Sequence, residues 1–457
     1  MTIEVARILV FFALNPFAHA AKPKTIVFPK DFKWCTATAG HQIEGNNVHS
    51  DWWEFEKQPG AISGGQKSGL AAGSYTRVSE DIALMKSIGA NSYRFSVEWS
   101  RVEPKEGVID AAEVKHYQDQ VLQLEAAGIE PLITLHHFVS PLWFRNKGGW
   151  EWEGAPKAFA DFARLVRSKI APKARFFITI NEPMVHIMGG YFLGNVPPQE
   201  KRPMQDIAPV LIGLLKSHAA AYAALKEEAK KSKTEVQVGT ANHLRLFQAK
   251  RKLNPVDQLT AQILEDAWNW AFPNALKTGR LKMKIPQMVS IDVEIQGLRG
   301  TQDYLGINYY TRDRIHSGAV MRAAKGKPKP SDGDFLERMY SPANWESYPD
   351  GLEKILKQAY RKYSLPILIT ENGVDDATDL KRQDYLRTHV QAVARAIDSG
   401  VPVQSYCHWS LLDNFEWIHG FGPRFGLFEV DYSTLNRRAR PSAELFKNFA
   451  TQNSIRR

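Results

Sequence analysis

Phe176-Phe177-Ile178-Thr179-Ile180-Asn181-Glu182-Pro183 is an apolar, partly β-branched run that stops on an amide and a carboxylate. Pro366-Ile367-Leu368-Ile369-Thr370-Glu371-Asn372-Gly373 repeats the pattern in the last third of the chain. Apolar runs without polar alternation have both faces covered, the habit of parallel strands inside a shell of helices. A carboxylate ending such a strand is not there for stability, because an unpaired buried charge is costly. Two of them on different strands point to chemistry that needs a pair of acids in different protonation states.

Outward from these two runs, strand-like segments recur at 32–39, 92–99, 130–137, 175–182, 235–242, 303–310, 366–371 and 402–410. Amphipathic segments lie between them: 79–89 has apolar residues at i, i+3 and i+6 and closes on Gly89, and 112–127 ends before Gly128. Strands alternating with helices predict a parallel sheet, and eight such units predict an α/β fold that is a single (β/α)8 TIM barrel. No Pro/Gly/Ser linker or repeat divides the 457 residues, so one barrel with elaborated loops at its C-terminal face is expected to use the whole mature length.

In a barrel of this kind function collects where the strands end. Every strand end except the fifth carries groups able to hydrogen-bond a polar ligand. Gln42 and Glu44 follow the first strand, Arg94 and Glu98 belong to the second, and His136-His137 to the third. Asn181-Glu182 end the fourth, Asn308-Tyr309-Tyr310 the sixth, Glu371-Asn372 the seventh and Trp409 the eighth, with Asp413-Asn414-Phe415-Glu416-Trp417 beyond it. Acids, amides, histidines and indoles at one mouth suit a sugar, whose hydroxyls need forked partners and whose C–H face packs on a ring.

The bulk properties exclude other classes. Aromatics make up 11% of the chain, and the Trp not needed in the core are expected to line a site. The formal charge of +10 comes from Lys and Arg spread along the chain, the densest groups being Lys230/Lys231/Lys233, Lys325/Lys327/Lys329 and Arg437/Arg438/Arg440. No basic stripe interleaves with aromatics, so no nucleic-acid partner is expected. His136 and His137 are adjacent on a strand and point to opposite faces, so they cannot chelate one ion, and no metal is expected. No phosphate-cradling Gly-rich loop with its Lys-Ser/Thr appears, and no G-x-S-x-G elbow, so no cofactor is expected either.

At the N-terminus, Arg7 precedes the apolar run 8–14 and Ala18-His19-Ala20 forms an A-x-A pattern. Residues 1–21 therefore read as a cleaved signal peptide and 22–457 as the catalytic domain, with a secreted or periplasmic location, or a cytoplasmic one if the segment is not a signal. The apolar run is too short to span a bilayer, so no stable membrane insertion is expected. Cys35 and Cys407 would lie on the first and last strands, which are neighbours; adjacent strands rarely place sulfurs well, so two buried free thiols are expected, with a disulfide as the alternative in an exported protein.

A carboxylate pair can serve glycoside hydrolysis, a metal or an aspartic-type dyad, and each glutamate could instead cap the following helix. Together, after the fourth and seventh of eight strands, the two motifs become specific. With Thr38-Ala39-Gly40-His41-Gln42-Ile43-Glu44-Gly45, Tyr93-Arg94-Phe95-Ser96, Leu135-His136-His137-Phe138, Leu305-Gly306-Ile307-Asn308-Tyr309-Tyr310, Trp409-Ser410-Leu411-Leu412-Asp413-Asn414-Phe415-Glu416-Trp417 and Arg424-Phe425-Gly426-Leu427, the chain resembles glycoside hydrolase family 1, the β-glucosidases and their relatives, from about Val27 to Phe449.

The resemblance implies a retaining β-glycosidase acting on terminal β-D-glucosyl or related residues of a small glycoside or short oligosaccharide. It makes Glu182 the acid/base and Glu371 the nucleophile, with Arg94 orienting Glu371, Tyr310 donating to it, Asn181 at the 2-hydroxyl and Asn308 in support. It assigns Gln42, His137, Glu416 and Trp417 to the sugar, Trp409 to its stacking floor and Phe425 to the substrate wall. Glu416 suits an unmodified 4- and 6-hydroxyl pair and would repel a 6-phosphate; the phosphoglycosidase branch has Ser there. Intact Glu182 separates the chain from the thioglucosidase branch, which has Gln. Phe138 stands where many relatives have Trp, His41 where many have Tyr, and Cys35 where Gly is frequent. Residues 311–345 are expected to form a long loop at the mouth. Two alternatives share these residues: a transglycosidase, and a non-catalytic glycan-binding module.

Overall fold

The computed structural model describes residues 25–324 and 345–456. Eight parallel strands close into a barrel: β1 (Lys33–Ala37), β2 (Ser92–Ser96), β3 (Glu130–His136), β4 (Phe176–Asn181), β5 (Gln237–His243), β6 (Leu305–Asn308), β7 (Ile367–Asn372) and β8 (Val403–Trp409). The neighbours run in chain order and β8 returns to β1. The helix Val78–Ser87 precedes β2 and Ala111–Ala126 precedes β3, near the expected bounds. The Asp110 side chain accepts from Ala112 N and Glu113 N, which starts the second helix one residue early. Gly89 and Gly128 take φ of 70° and 74° just past the helix ends, a conformation that costs Gly least.

The lack of alternation in β4 has its predicted cause. Phe176 and Ile178 face inward with Leu132, Tyr304 and Leu368, while Phe177 and Ile180 join the much larger apolar layer between barrel and helices. The helix Ala208–Ser232, with the turn before it, is long and apolar enough to cross a bilayer, yet Val210, Leu211, Leu214, Leu215 and Leu225 on it are buried in that layer.

Two expectations change. Cys35 and Cys407 are not free thiols but form a disulfide, 372 residues apart in sequence. The reason is register: the two residues pair directly across β1 and β8, so both side chains enter the barrel from one face with Cα atoms 4.1 Å apart. The segment after β6 is not simply a loop. Arg312–Ile315 pairs in parallel with Leu246–Ala249, and Ser317–Ala324 is helical. The three lysines assigned to that segment lie outside the described residues, as does the N-terminal segment 1–21.

Candidate active site

The strands that carry the key side chains lose register just before the mouth. Along β6 and β7, Ile307 pairs with Ile369 but Asn308 pairs with Glu371, and the β4–β5 ladder shifts between Ile178 and Asn181. On strict alternation Glu371 would share the outward face of Ile369. The irregularity re-aims it toward the barrel axis, as bulges next to active sites do. Glu182 takes φ 45°, an uncommon conformation for a residue with a side chain, and Pro183 opens the short helix Pro183–Ile187 after it.

Both carboxyls line one cavity of about 170 Å³ at this end of the barrel, with His137, Asn181, Tyr310, Trp409, Glu416, Trp417 and Phe425. Arg94 lies fully buried beneath it. The guanidinium donates through Nη1 to Glu371 Oε1 and, at 3.1 Å, to Thr370 O, and through Nη2 to Asn181 Oδ1 at 2.6 Å. Tyr310 donates its hydroxyl to Glu371 Oε2. Asn308 donates to Glu182 Oε1 at 2.7 Å and to Asn181 Oδ1 at 3.1 Å, and Thr370 Oγ1 donates to Asn308 Oδ1 at 2.6 Å. A continuous set of hydrogen bonds therefore joins the two glutamates through Asn308, Asn181 and Arg94.

Two donors on Asn181 Oδ1 fix that amide, so its Nδ2 donates to His137 Nε2 at 3.1 Å. Burial, and next the charge of Arg94, lower the His137 pKa well below the ordinary value and keep the ring neutral. The ring stacks on Trp409 at 5.6 Å and on Trp417 at 6.0 Å. His136 turns the other way, as adjacency demands, to Ser140 and Trp150.

The two glutamates have unequal surroundings. Burial raises both carboxyls, but on Glu371 the Arg94 charge and the Tyr310 hydrogen bond oppose it. Glu182 contacts an amide rather than a cation; burial first, and then the charge of Glu371, push it up to about 8. The proton of the pair therefore belongs on Glu182. Glu416, which accepts from Trp409 Nε1 at 3.3 Å, is also pushed up to about 8, chiefly by burial.

Some strand-end groups stand back from the cavity. Gln42 donates to Asn414 Oδ1 at 2.8 Å and Phe415 O at 3.0 Å, holding the loop that presents Glu416. Glu44 pairs with Arg101 at 3.0 Å and accepts from Tyr117, while Glu98 accepts from Ser96 and Asn47. Other lining residues went unread in the sequence. β5 runs one residue past its expected end, and that residue, His243, reaches the cavity, so the fifth strand does contribute. Trp52, Trp268 and Trp345 also line it; five of the 12 Trp do so, which is where the aromatic excess goes.

Comparison with known proteins places this geometry. Residues 24–455 match glycosyl hydrolase family 1. A 1,4-beta-D-glucan glucohydrolase of Thermotoga neapolitana is 30% identical over 456 residues, covering 94% of this chain and 99% of its own. Beta-glucosidase A of Thermotoga maritima is 30% identical, covering 94% and 98%. Among solved structures, a beta-glycosidase from Pyrococcus horikoshii superposes with a TM-score of 0.81 at 34% identity, covering 95% of this chain and 97% of that one. A beta-glucosidase from Thermotoga maritima in complex with deoxynojirimycin gives 0.82 at 27% identity, covering 94% and 100%. The eight-stranded barrel with two glutamates at its mouth thus belongs to a glycoside hydrolase, a member of glycosyl hydrolase family 1.

Proposed function

We propose that this chain is a retaining β-glycosidase that hydrolyses terminal, non-reducing β-D-glucosyl or related residues through a covalent glycosyl-enzyme. One observation carries the reading: two buried carboxyls face one cavity, one held by a cation and a phenol, the other only by an amide. Glu371, ionised against Arg94, attacks the anomeric carbon. Glu182, protonated, delivers its proton to the glycosidic oxygen as that bond breaks. Esterification removes the Glu371 charge that helps hold the proton on Glu182, so Glu182 becomes more acidic and then accepts a proton from the incoming water. Asn181, His137, Glu416 and the indoles of Trp409 and Trp417 receive the sugar. The sugar-like inhibitor in the Thermotoga maritima complex supports a small saccharide ligand.

The test is Glu371→Ala against an aryl β-glucoside and an aryl β-galactoside. Turnover falls by orders of magnitude, and azide restores part of it with an inverted glycosyl azide as product. Near-native hydrolysis by this variant would remove Glu371 from the role.

We also propose export, with residues 1–21 removed. A disulfide closing the barrel supports it, since such bonds persist in oxidising compartments. N-terminal sequencing of the protein recovered from its native cells decides the point; a chain starting at Met1 refutes cleavage.

A further inference from the structure

Polar groups are unevenly spread around the cavity. Asn181 and Glu371 sit on barrel strands, and His137 and Glu182 directly follow strand ends. The wall that starts where the chain leaves Glu182 is different: Val185 and Met188 follow that carboxyl by three and six positions, and Val196, Pro197, Ile418 and Trp345 continue the lining. All of these but Pro197 are half-buried, so the wall is an apolar surface open to solvent and continuous with the site. It is also firmly built. A Cβ on Gly189 would come within 2.8 Å of Val196, and one on Gly190 within 2.6 Å of Pro197 O, so these glycines let the 195–197 segment close on the preceding turn.

Among the described residues no Asp, Lys or Arg lines the cavity, and its glutamates are Glu182, Glu371 and Glu416. The polar members of this part of the lining are Asn195, which is exposed, the half-buried His419, and His186 and His243, which burial lowers to about 4 and well below the ordinary value respectively. Hydroxyls of a second sugar placed here would give up water for few partners, and unpaired buried hydroxyls are costly. Methylenes placed here lose only water.

We propose that the leaving-group side of the cavity is built for an apolar aglycone, an alkyl chain in preference to a second sugar. The inference rests on Glu182 being the acid that faces the leaving group. Val185, Met188 and Val196 are then specificity-determining residues.

The experiment compares kcat/KM for methyl, butyl, hexyl and octyl β-glycosides with that for the corresponding β-1,4-linked disaccharide, the glycone being whichever the aryl panel shows to be turned over. The expected rise is about twofold per added methylene, as for half-buried CH₂ groups, with the octyl glycoside at least about tenfold above the disaccharide. Met188→Asn and, separately, Val196→Asn lower the octyl-to-methyl ratio. A flat alkyl series, or a disaccharide that outruns octyl, with aryl turnover intact, overturns this inference alone. Silence toward every β-glycoside overturns it together with the glycosidase reading.

Discussion

Asn308 donates to Glu182 Oε1 at 2.7 Å, and this is the hydrogen bond that most opposes the rise in the Glu182 pKa. Replacing Asn308 by Ala removes the donor and leaves burial and the Glu371 charge acting on Glu182. The alkaline limb of the rate profile moves to higher pH, and kcat/KM falls by about 10–100-fold, because a preorganised donor next to the reacting carboxyl is lost. A pH-rate profile of Asn308→Ala whose limb stays in place would deny that Asn308 tunes Glu182.

As the proposed acid, Glu182 itself is expected to set that limb. Its carboxyl is raised to about 8, so the protonated acid is present below this pH and lost above it. In the native enzyme kcat/KM falls as pH climbs through about 8, and the acid limb reflects ionisation of Glu371, which burial raises above the ordinary carboxylate range. Glu182→Gln loses about 10²–10⁴-fold on alkyl glycosides, whose leaving group needs a proton, and far less on dinitrophenyl glycosides, and its alkaline limb disappears.

Glu416 carries a stability cost with a definite sign. Its folded pKa of about 8 lies above the ordinary 4.5, so the native state holds the proton where the unfolded state has released it. Stability from this group therefore declines as pH rises from about 4.5 to about 8. Glu416→Gln is expected to unfold at higher urea than the parent at pH 8, by on the order of 2–4 kcal/mol, to match it near pH 4, and to lose activity. Equal urea midpoints at pH 8 would show that the carboxyl is not held protonated by its surroundings.

The Cys35–Cys407 bond joins the first and last barrel strands. Constraining so long a loop in the unfolded chain stabilises by about 2–5 kcal/mol. The Cys35→Ala/Cys407→Ala double variant should lose that amount in denaturant unfolding, while the unreduced parent, titrated in denaturant, should present no thiol. Two free thiols in the unreduced parent would contradict the bond.

How much was legible in the chain follows from which interactions are local. The apolar runs at 175–182 and 366–371 announced covered strands, and their terminal Asn181, Glu182 and Glu371 announced the site, because strand type and strand end are written in neighbouring residues. His243 escaped for the same reason in reverse: one more residue of β5 was needed, and strand ends are set by the ladder with β6, where Asn308 pairs with His243. Trp52 and Trp345 reach the cavity from outside the barrel strands, so no period marks them.

The sequence by itself determined the eight-unit α/β alternation and the two glutamates, through hydrophobic periodicity and residue type. Only the tertiary structure decided that Cys35 meets Cys407, that a register shift turns Glu371 inward, and how burial and charge divide between the two glutamates. Disulfide geometry, strand register and the balance of burial against charge all depend on distances between residues far apart in the chain, which closure of the barrel sets.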